Sequence, residues 1–220
     1  MTLVACGAPG PLDSLEPGER GRVVRVVDGD TIVLDTGQSV RLVGIEAPSG
    51  GYRDRAPQPY HTESKRMMED MVLGREVQLH YGGLNAEMVK RGGARVRVYP
   101  DTAAANAPLL KFERDARREE IGLWRAVEYR IPYASDLPKA YEGFQLVRGQ
   151  VSGMRGAEGF GAVCDLSLQN SALRLQIQTA AASLCQEALG LGVLARGYVR
   201  GDEMEISHPL NFELVEAPTN

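Results

Sequence analysis

The chain is poor in the residues that build zinc-bound frameworks. It contains only three cysteines and three histidines among 220 residues, and their spacing matches no zinc pattern. Beyond its first few residues it has no apolar run that approaches the length of a membrane span. It also lacks an obvious internal repeat and a low-complexity tract. These shortages argue against a structural zinc domain, a membrane-spanning domain and a repeat protein.

A strong charge of either sign is also lacking. The chain has 25 basic and 29 acidic residues, which gives a formal net charge of −4. This balance argues against a protein that coats nucleic acid without specificity, but it leaves local capture of a polyanion open. The 43% hydrophobic content suffices for the cores of one or two domains.

Two neighbouring segments carry the most information. Residues 26–34 read VVDGDTIVL, two apolar runs around an Asp-Gly turn, which predicts a β-hairpin. Residues 40–49 read VRLVGIEAPS, a third strand that ends at an acidic residue just before a proline. The hairpin would place Asp28, Asp30 and Glu46 at one rim, beside Arg41. Carboxylates next to an arginine suit a hard divalent cation and a phosphate.

These segments resemble the hallmark of the staphylococcal nuclease (thermonuclease) family, an Asp-Gly-Asp-Thr turn, then Arg-Leu, then Gly-Ile-x-Ala-Pro-Glu. The resemblance continues in order through residues 58–60, 63–73, 74–79, 85–89 and 116–124. It covers roughly half the chain, which chance matching of a single motif would not produce. It implies an N-terminal OB barrel and a calcium-dependent endonuclease that hydrolyses phosphodiester bonds in DNA or RNA, with single strands favoured.

Carried over residue by residue, the resemblance assigns Asp30 and Glu46 as carboxylates that ligate Ca²⁺. The backbone carbonyl of Ala47 would be a further ligand, and Arg41 would be the catalytic phosphate clamp. The family usually has aspartate at the position of Glu46, and the flexible coordination of calcium absorbs the extra methylene.

Asp28 and Thr31 would lie just outside the calcium ligands. The resemblance implies that Asp28 steers the calcium-bound water that attacks the phosphodiester, while metal and guanidinium groups stabilise the charge on the phosphorus oxygens. Taken alone, however, an Asp-Gly turn needs no metal. Arg41 in a strand could equally be a solvated or salt-bridged residue.

The family pattern is broken at two places that carry its chemistry. Ser49 stands where the motif has the glutamate that acts as the base, and a serine cannot replace a carboxylate base. The strand with the family's second arginine is missing, because only residues 81–84 join two later motifs. Loss of a base costs about 10² to 10⁴ in rate, and loss of one electrostatic stabiliser about 10² to 10³.

We therefore expect a nuclease with impaired catalysis. The alternative is a degenerate nuclease that serves as a binding module for nucleic acid or protein, tethered to a membrane if Cys6 carries a lipid. Asp54 or Glu63 as a replacement base stays open. The missing strand is also a wall of the barrel, so its open edge would pair with the connector or with another chain, or would leave this half unstable.

The predicted fold class is α+β, mainly β with helices, in two domains. Predicted boundaries are a tether at 1–20, a nuclease-like domain at 21–125, a connector at 126–144 and an OB-like barrel at 145–217. In the nuclease-like domain, strands are predicted at 21–27, 31–34, 39–45 and 76–81, and helices at 59–73, 85–92 and 108–121.

The C-terminal half shows five β-prone runs. They cover residues 145–151, 161–168, 173–179, 192–199 and 204–206, with 212–215 extending the last. A helix-like segment at 180–189 separates the third run from the fourth. This order predicts a second small OB-like barrel, which we expect to support or dock rather than cut.

The cysteines bear on the compartment. Residues 3–7 read LVACG and resemble a lipobox, but only five residues precede Cys6, too few for a signal peptide. Cys6 is therefore either a lipid anchor whose leader is not in this sequence or a free thiol. Cys164 and Cys185 would form a disulfide in an oxidising periplasm, or act as small buried hydrophobes in a cytosol. We expect a periplasmic, membrane-anchored or secreted protein, with a cytoplasmic one as the alternative.

Overall fold

The computed structural model describes residues 18–51, 55–79, 83–138, 141–157 and 161–215. Cys6 and Asp54 lie outside the described residues, as does most of the predicted tether. The described chain divides into two units. The first comprises residues 18–96 and 104–125, and the second comprises residues 97–103 and 126–215.

The described residues up to 125 form short strands and three α-helices. The strands are β1 (Arg20–Asp28), β2 (Thr31–Leu34), β3 (Ser39–Arg41), β4 (Ile45–Glu46), β5 (Glu76–Gln78) and β6 (Arg95–Val96). The helices are α1 (His61–Val72), α2 (Gly83–Lys90) and α3 (Ala103–Arg118).

The first unit contains an open half-barrel. Its four-stranded antiparallel sheet has the order β3-β2-β1-β5, and β4 pairs separately with β6. Among the described residues no strand pairs with the outer side of β5, and the described part of the predicted connector does not supply one. The prediction of an N-terminal barrel that lacks a strand is therefore confirmed.

Strand β2 buries alternate side chains, because successive side chains on a strand point to opposite faces, whereas β1 buries residues three positions apart across an irregularity in its pairing with β2. Val23 and Val26 on β1, and Ile32 and Leu34 on β2, are at most 2% exposed. On α1 the buried residues Ser64, Met68 and Val72 follow the four-residue spacing of one helical face.

Gly29 fixes the approach of α1 to the turn between β1 and β2. A Cβ atom at this position would overlap the hydroxyl oxygen of Ser64 and lie 3.0 Å from the side chains of both Ala47 and Met88. The backbone of Gly29 is not in the positive-φ region. Glycine is therefore required here for close packing and not for the conformation of the turn.

Several features of the first unit differ from the sequence prediction. The strand predicted at 39–45 is interrupted, since β3 ends at Arg41 and β4 begins at Ile45. Helix α3 begins at Ala103, whereas the sequence predicts a start at Pro108. The alanine-rich residues 103–107 extend the helix upstream of the proline. Strand β6 was not predicted, because two residues are too few to show alternation. The amide of Val96 on β6 donates to the buried carboxylate of Glu113 on α3 at 2.7 Å, which anchors the strand.

The second unit is a closed barrel with one additional strand. Its elements are β7 (Glu142–Gly156), β8 (Ala162–Leu168), β9 (Arg174–Gln178), α4 (Leu184–Glu187), β10 (Gly192–Arg200), β11 (Glu203–Ile206) and β12 (Phe212–Val215). The sheet order is β11-β9-β8-β7-β10-β12, and β11 also pairs with β10. That pairing closes five strands into a ring. The parallel pair β9 and β11, with α4 between the third and fourth strands, confirms the predicted OB-like barrel.

The interior of this barrel is apolar. Val147, Leu166, Leu175, Ile177 and Val199 are 0% exposed and belong to one core cluster. The predicted helix at 180–189 is a 3-10 turn at Thr179–Ala181 followed by α4. In the described part of the chain, no helix is both long and apolar enough to cross a membrane.

Cys164 on β8 and Cys185 on α4 are joined by a disulfide bond, with an S–S distance of 1.99 Å and a Cα separation of 6.1 Å. The bond links residues 21 positions apart. It ties α4 to the wall of the barrel.

Replacing Gly29 by alanine should lower the free energy of unfolding by about 1 to 3 kcal/mol, the usual cost of overpacking. Ser64 cannot yield easily, because its hydroxyl donates to the carbonyl of Gly93 at 2.6 Å. Urea unfolding measures the change. Gly83→Ala is the matched control, since a Cβ there meets no atom within 4 Å. Equal stability of the two variants would contradict the packing argument.

Removal of the disulfide in a Cys164→Ala/Cys185→Ala variant should lower the free energy of unfolding by about 3 kcal/mol, the chain-entropy value for a loop of this length. Urea unfolding with and without a reductant tests this. The unsubstituted protein should lose stability in the reductant, whereas the double variant should not respond. A response of equal size in both would show that the reductant acts elsewhere.

Candidate functional site

Asp30 lies in the turn between β1 and β2, and only 1% of its surface is exposed. Its Oδ1 accepts a hydrogen bond from the Thr31 hydroxyl at 2.8 Å, and its Oδ2 accepts one from the amide of Ala47 at 2.9 Å. The amide of Asp30 donates to Oδ1 of Asp28 at 3.2 Å. The turn therefore presents a buried carboxylate that is bound to the segment following β4.

Arg41, at the end of β3, joins the two predicted ligand carboxylates. Its Nη2 lies 3.2 Å from Oδ2 of Asp30 and 2.9 Å from Oε2 of Glu46. Half of the Arg41 side chain is exposed, compared with 19% of Glu46. The chain returns from β3 to β4 through Gly44, whose φ of 88° favours glycine. The structure thus brings Asp30, Arg41, Glu46 and Ala47 together.

The electrostatics of this cluster favour a cation. Burial, followed by the neighbouring charge of Asp28, raises the pKa of Asp30 to about 7. The Ala47 amide, Arg41 and Thr31 act in the opposite direction without cancelling the effect. A buried carboxylate whose charge is opposed in this way gains from additional positive charge nearby.

The donor set fits a calcium ion. Two carboxylates and a backbone carbonyl are hard oxygen ligands of the kind that Ca²⁺ prefers, with water completing the coordination. Among the described residues no group of three or more His, Cys, Asp or Glu side chains could hold a metal. An ion at Asp30 and Glu46 would therefore depend on the Ala47 carbonyl and water, and on a shift of the Arg41 guanidinium.

The candidate bases are arranged differently. Ser49 is exposed, and its hydroxyl oxygen accepts a hydrogen bond from the Gly51 amide at 3.3 Å. Glu63 lies in the first turn of α1 and is exposed to solvent. Asp54 lies outside the described residues. Among the described residues, the hydrogen bond of Ser49 and the exposed position of Glu63 tie neither residue to the carboxylate cluster.

Two further residues lie near the cluster. His61 begins α1, and its Nδ1 lies 3.1 Å from the carbonyl oxygen of Pro48. Arg95 on β6 is paired in register with Glu46 on β4. The sequence treated His61 only as an unsuitable zinc ligand, although it directly follows the QPY motif at 58–60. Arg95 belongs to a run of basic residues at 90–97, which is typical of a solvated face but whose coincidence with the nuclease motifs favours a phosphate-facing role. Its position opposite Glu46 was not predicted, because β6 itself was not predicted.

Comparisons with known proteins place the chain among nucleases. The model of the family described as "Staphylococcal nuclease homologue" matches residues 77–126. A micrococcal nuclease of Shigella flexneri is 32% identical over 143 residues, which cover 52% of this chain and 78% of that protein. A thermonuclease of Staphylococcus intermedius is 26% identical over 129 residues, which cover 49% of this chain and 77% of that protein. An uncharacterized endonuclease of Escherichia coli O157:H7 is 34% identical over 122 residues, which cover 47% of this chain and 76% of that protein.

The raised pKa of Asp30 predicts that its charged carboxylate destabilises the folded protein when a chelator keeps metal ions away. Because the folded state holds the proton more tightly, this group's contribution is fully present below the ordinary pKa of 3.8 and is lost as pH rises towards about 7. Asp30→Asn should therefore raise the free energy of unfolding at pH 8 by about 1 to 3 kcal/mol. A shift of three pKa units corresponds to roughly 4 kcal/mol, but the substitution also removes the ion pair with Arg41.

Urea unfolding at pH 5 and pH 8 in chelator measures this effect. The gain from Asp30→Asn should be larger at pH 8, where the unsubstituted carboxylate is charged. A variant less stable than the unsubstituted protein at pH 8 would show that the ion pair with Arg41 outweighs the cost of burial.

Proposed function

Because the chain belongs to the staphylococcal nuclease family, we propose that it hydrolyses phosphodiester bonds of DNA or RNA at the cluster of Asp30, Arg41 and Glu46. The observation that carries the proposal is the position of Arg41. Its half-exposed guanidinium contacts both carboxylates at the rim of the half-barrel. A cation site and a phosphate clamp are thereby adjacent, as cleavage of a polyanion requires.

We propose Ca²⁺ as the cofactor, held by Asp30, Glu46 and the carbonyl of Ala47. When bound, the ion would supply Lewis-acid chemistry that activates water and neutralises charge on the phosphate. Thr31 and the Ala47 amide keep the Asp30 carboxylate in one orientation through hydrogen bonds of 2.8 and 2.9 Å. Asp28 accepts from the Asp30 amide and so fixes the turn from the other side.

Arg41 would bind the scissile phosphate. A guanidinium offers a planar fork of donors that matches two phosphate oxygens, and it remains charged at any working pH. In the structure its Nη2 is shared between Asp30 and Glu46. A cation bound by those carboxylates would replace the guanidinium as their counter-charge, and Arg41 would then be available to a substrate oxygen.

The proposed activity is weaker than the family pattern implies. Ser49 occupies the position of the family's base glutamate and, as an exposed alcohol, cannot accept the proton of water efficiently. The family's second arginine has no counterpart in the shortened segment between β5 and α2. Either loss alone costs about 10² or more in rate, and the two do not add because such groups act as a unit. The alternative, a nuclease-derived module that binds without cutting, is favoured by the same two losses.

We also propose that the protein works in an oxidising compartment, either in the periplasm or outside the cell. The disulfide between Cys164 and Cys185 supports this location, since such bonds persist where thiols are not kept reduced. A lipid on Cys6 would add a membrane anchor. Electrophoretic mobility in non-reducing gels of protein taken from cells would show whether the disulfide forms there.

Purified protein should cleave single-stranded DNA and RNA with calcium and not with chelator. Asp30→Ala should abolish cleavage, because it removes a proposed ligand, and it is also the control for a contaminating nuclease.

Arg41→Gln should lower kcat by about 10² to 10³, the cost of one lost stabiliser of transition-state charge. Arg41→Lys should recover only part of this loss, because an ammonium cannot bind two oxygens in one plane.

The outcomes separate the two candidates. Calcium-dependent cleavage that is lost in Asp30→Ala supports the nuclease. Oligonucleotide binding without cleavage above that control, measured by fluorescence anisotropy, would support the binding module and overturn the enzyme proposal.

A further inference from the structure

We propose that His61 is the general base of this chain, the group that accepts the proton of the water attacking the phosphodiester. The inference rests on the proposed hydrolysis, because a base has a role only where water is the nucleophile. It is carried by the position of the imidazole on the segment that leads out of the carboxylate cluster.

The hydrogen bond of His61 fixes which nitrogen is available. Nδ1 lies 3.1 Å from the carbonyl oxygen of Pro48, and a carbonyl oxygen can only accept. The proton of the neutral imidazole therefore lies on Nδ1. Nε2 carries the lone pair, which is the form that a general base requires.

His61 is held close to the proposed site by the backbone. Pro48, its partner, directly follows Ala47, whose amide donates to Oδ2 of Asp30 at 2.9 Å. The His61 amide donates to the carbonyl of Gln58 at 3.2 Å, and the Gln58 amide donates to the carbonyl of Ser49 at 2.9 Å. Together with the Nδ1 contact to Pro48, these bonds connect the start of α1 to residues 48 and 49.

Gly50 leaves room for the imidazole ring of His61. A Cβ atom at this position would lie 2.9 Å from both Cε1 and Nε2 of His61. The φ angle of Gly50 is not positive, so its backbone conformation does not require glycine. The missing side chain instead allows the Cε1–Nε2 edge of His61 to lie close to the backbone of Gly50.

The other described candidates are less suited to the role. Ser49 is an alcohol, and Glu63 projects into solvent from the first turn of α1. Oδ1 of Asp28 already accepts a hydrogen bond from Asp30. His61 is half-buried and joined by a hydrogen bond to the residue between Ala47 and Ser49, next to the position where the sequence pattern lacks its carboxylate.

The proposed step balances as an ordinary hydrolysis. The water oxygen forms a bond to phosphorus while its proton passes to Nε2 of His61. The bond from phosphorus to the leaving ester oxygen breaks, and that oxygen takes a proton from solvent. His61 then releases its proton to solvent and is ready for another turnover.

The first test is His61→Gly and His61→Gln, assayed for cleavage of a single-stranded oligonucleotide with calcium. Both should lower kcat by about 10² to 10⁴, the usual contribution of a general base, with little change in KM. Added imidazole should restore part of the activity of His61→Gly and none of that of His61→Gln, whose side chain fills the space. A purely structural histidine would not give this difference.

The second test returns a carboxylate to the family position. Ser49→Glu should raise kcat in the His61→Gln background by at least tenfold, since the two groups would perform the same proton transfer. In the unsubstituted background it should add less, because a base is already present. Equal effects in both backgrounds would show that His61 does not act as the base.

The third test displaces the imidazole without removing it. Gly50→Ala should lower kcat at least tenfold, because the new methyl group occupies the space beside Nε2. Gly83→Ala is the matched control and should leave kcat unchanged, as its Cβ meets nothing within 4 Å. Thermal unfolding with and without Ca²⁺ shows that each variant folds, and the stabilisation by calcium should be the same in all of them.

Failure of this inference is distinguishable from failure of the proposed function. No cleavage by the unsubstituted protein above the Asp30→Ala control would overturn both. Cleavage by the unsubstituted protein that persists at the same kcat in folded His61→Gln would overturn the role of His61 alone and leave the nuclease in place.

Discussion

The burial of one carboxylate organises the first unit. Asp30 receives hydrogen bonds from its own turn, from the segment after β4 and from Arg41 at the end of β3. Three pieces of chain that are separate in sequence therefore meet at two oxygen atoms. The close approach of α1 at Gly29 seals the same turn from the other side. A protein selected for stability alone would place a neutral group here, so the retained charge indicates a use for it.

Arg41 gives the cluster two different states of charge. In the structure its guanidinium neutralises Asp30 and Glu46 together, which makes the arrangement tolerable without a metal. A divalent cation at the same carboxylates would compete with the guanidinium for them. The energy gained by such an ion would be reduced by the loss of the ion pairs. If the proposed metal and phosphate sites are both used, their binding would be coupled through the Arg41 side chain, and such coupling acts in both directions.

Much of this fold could be predicted from the sequence, for reasons that particular elements illustrate. The hairpin of β1 and β2 has two apolar, β-prone runs around an Asp-Gly turn, and the strands of the second barrel are separated by clear turn signals. Both were located within a few residues. Strand β6 has two residues and no alternation, and the start of α3 was misplaced because Pro108 resembles a first-turn proline. The meeting of Asp30, Arg41 and Glu46 was foreseen from the family motif. The contact of His61 with Pro48 was not, since it depends on where the chain at Pro48 lies relative to the start of α1.

The division of the chain into two units determines which residues a truncated chain would separate from their partners. Residues 97–103 belong to the second unit, although they lie between β6 and α3 of the first. Within the second unit Arg97 stacks on Tyr99 and lies near the rings of Phe144 and Tyr198. The polypeptide thus leaves the nuclease-like part, returns to it and leaves again. A chain that ended after residue 125 would contain residues 97–103 without the rings of Phe144 and Tyr198 that Arg97 lies near.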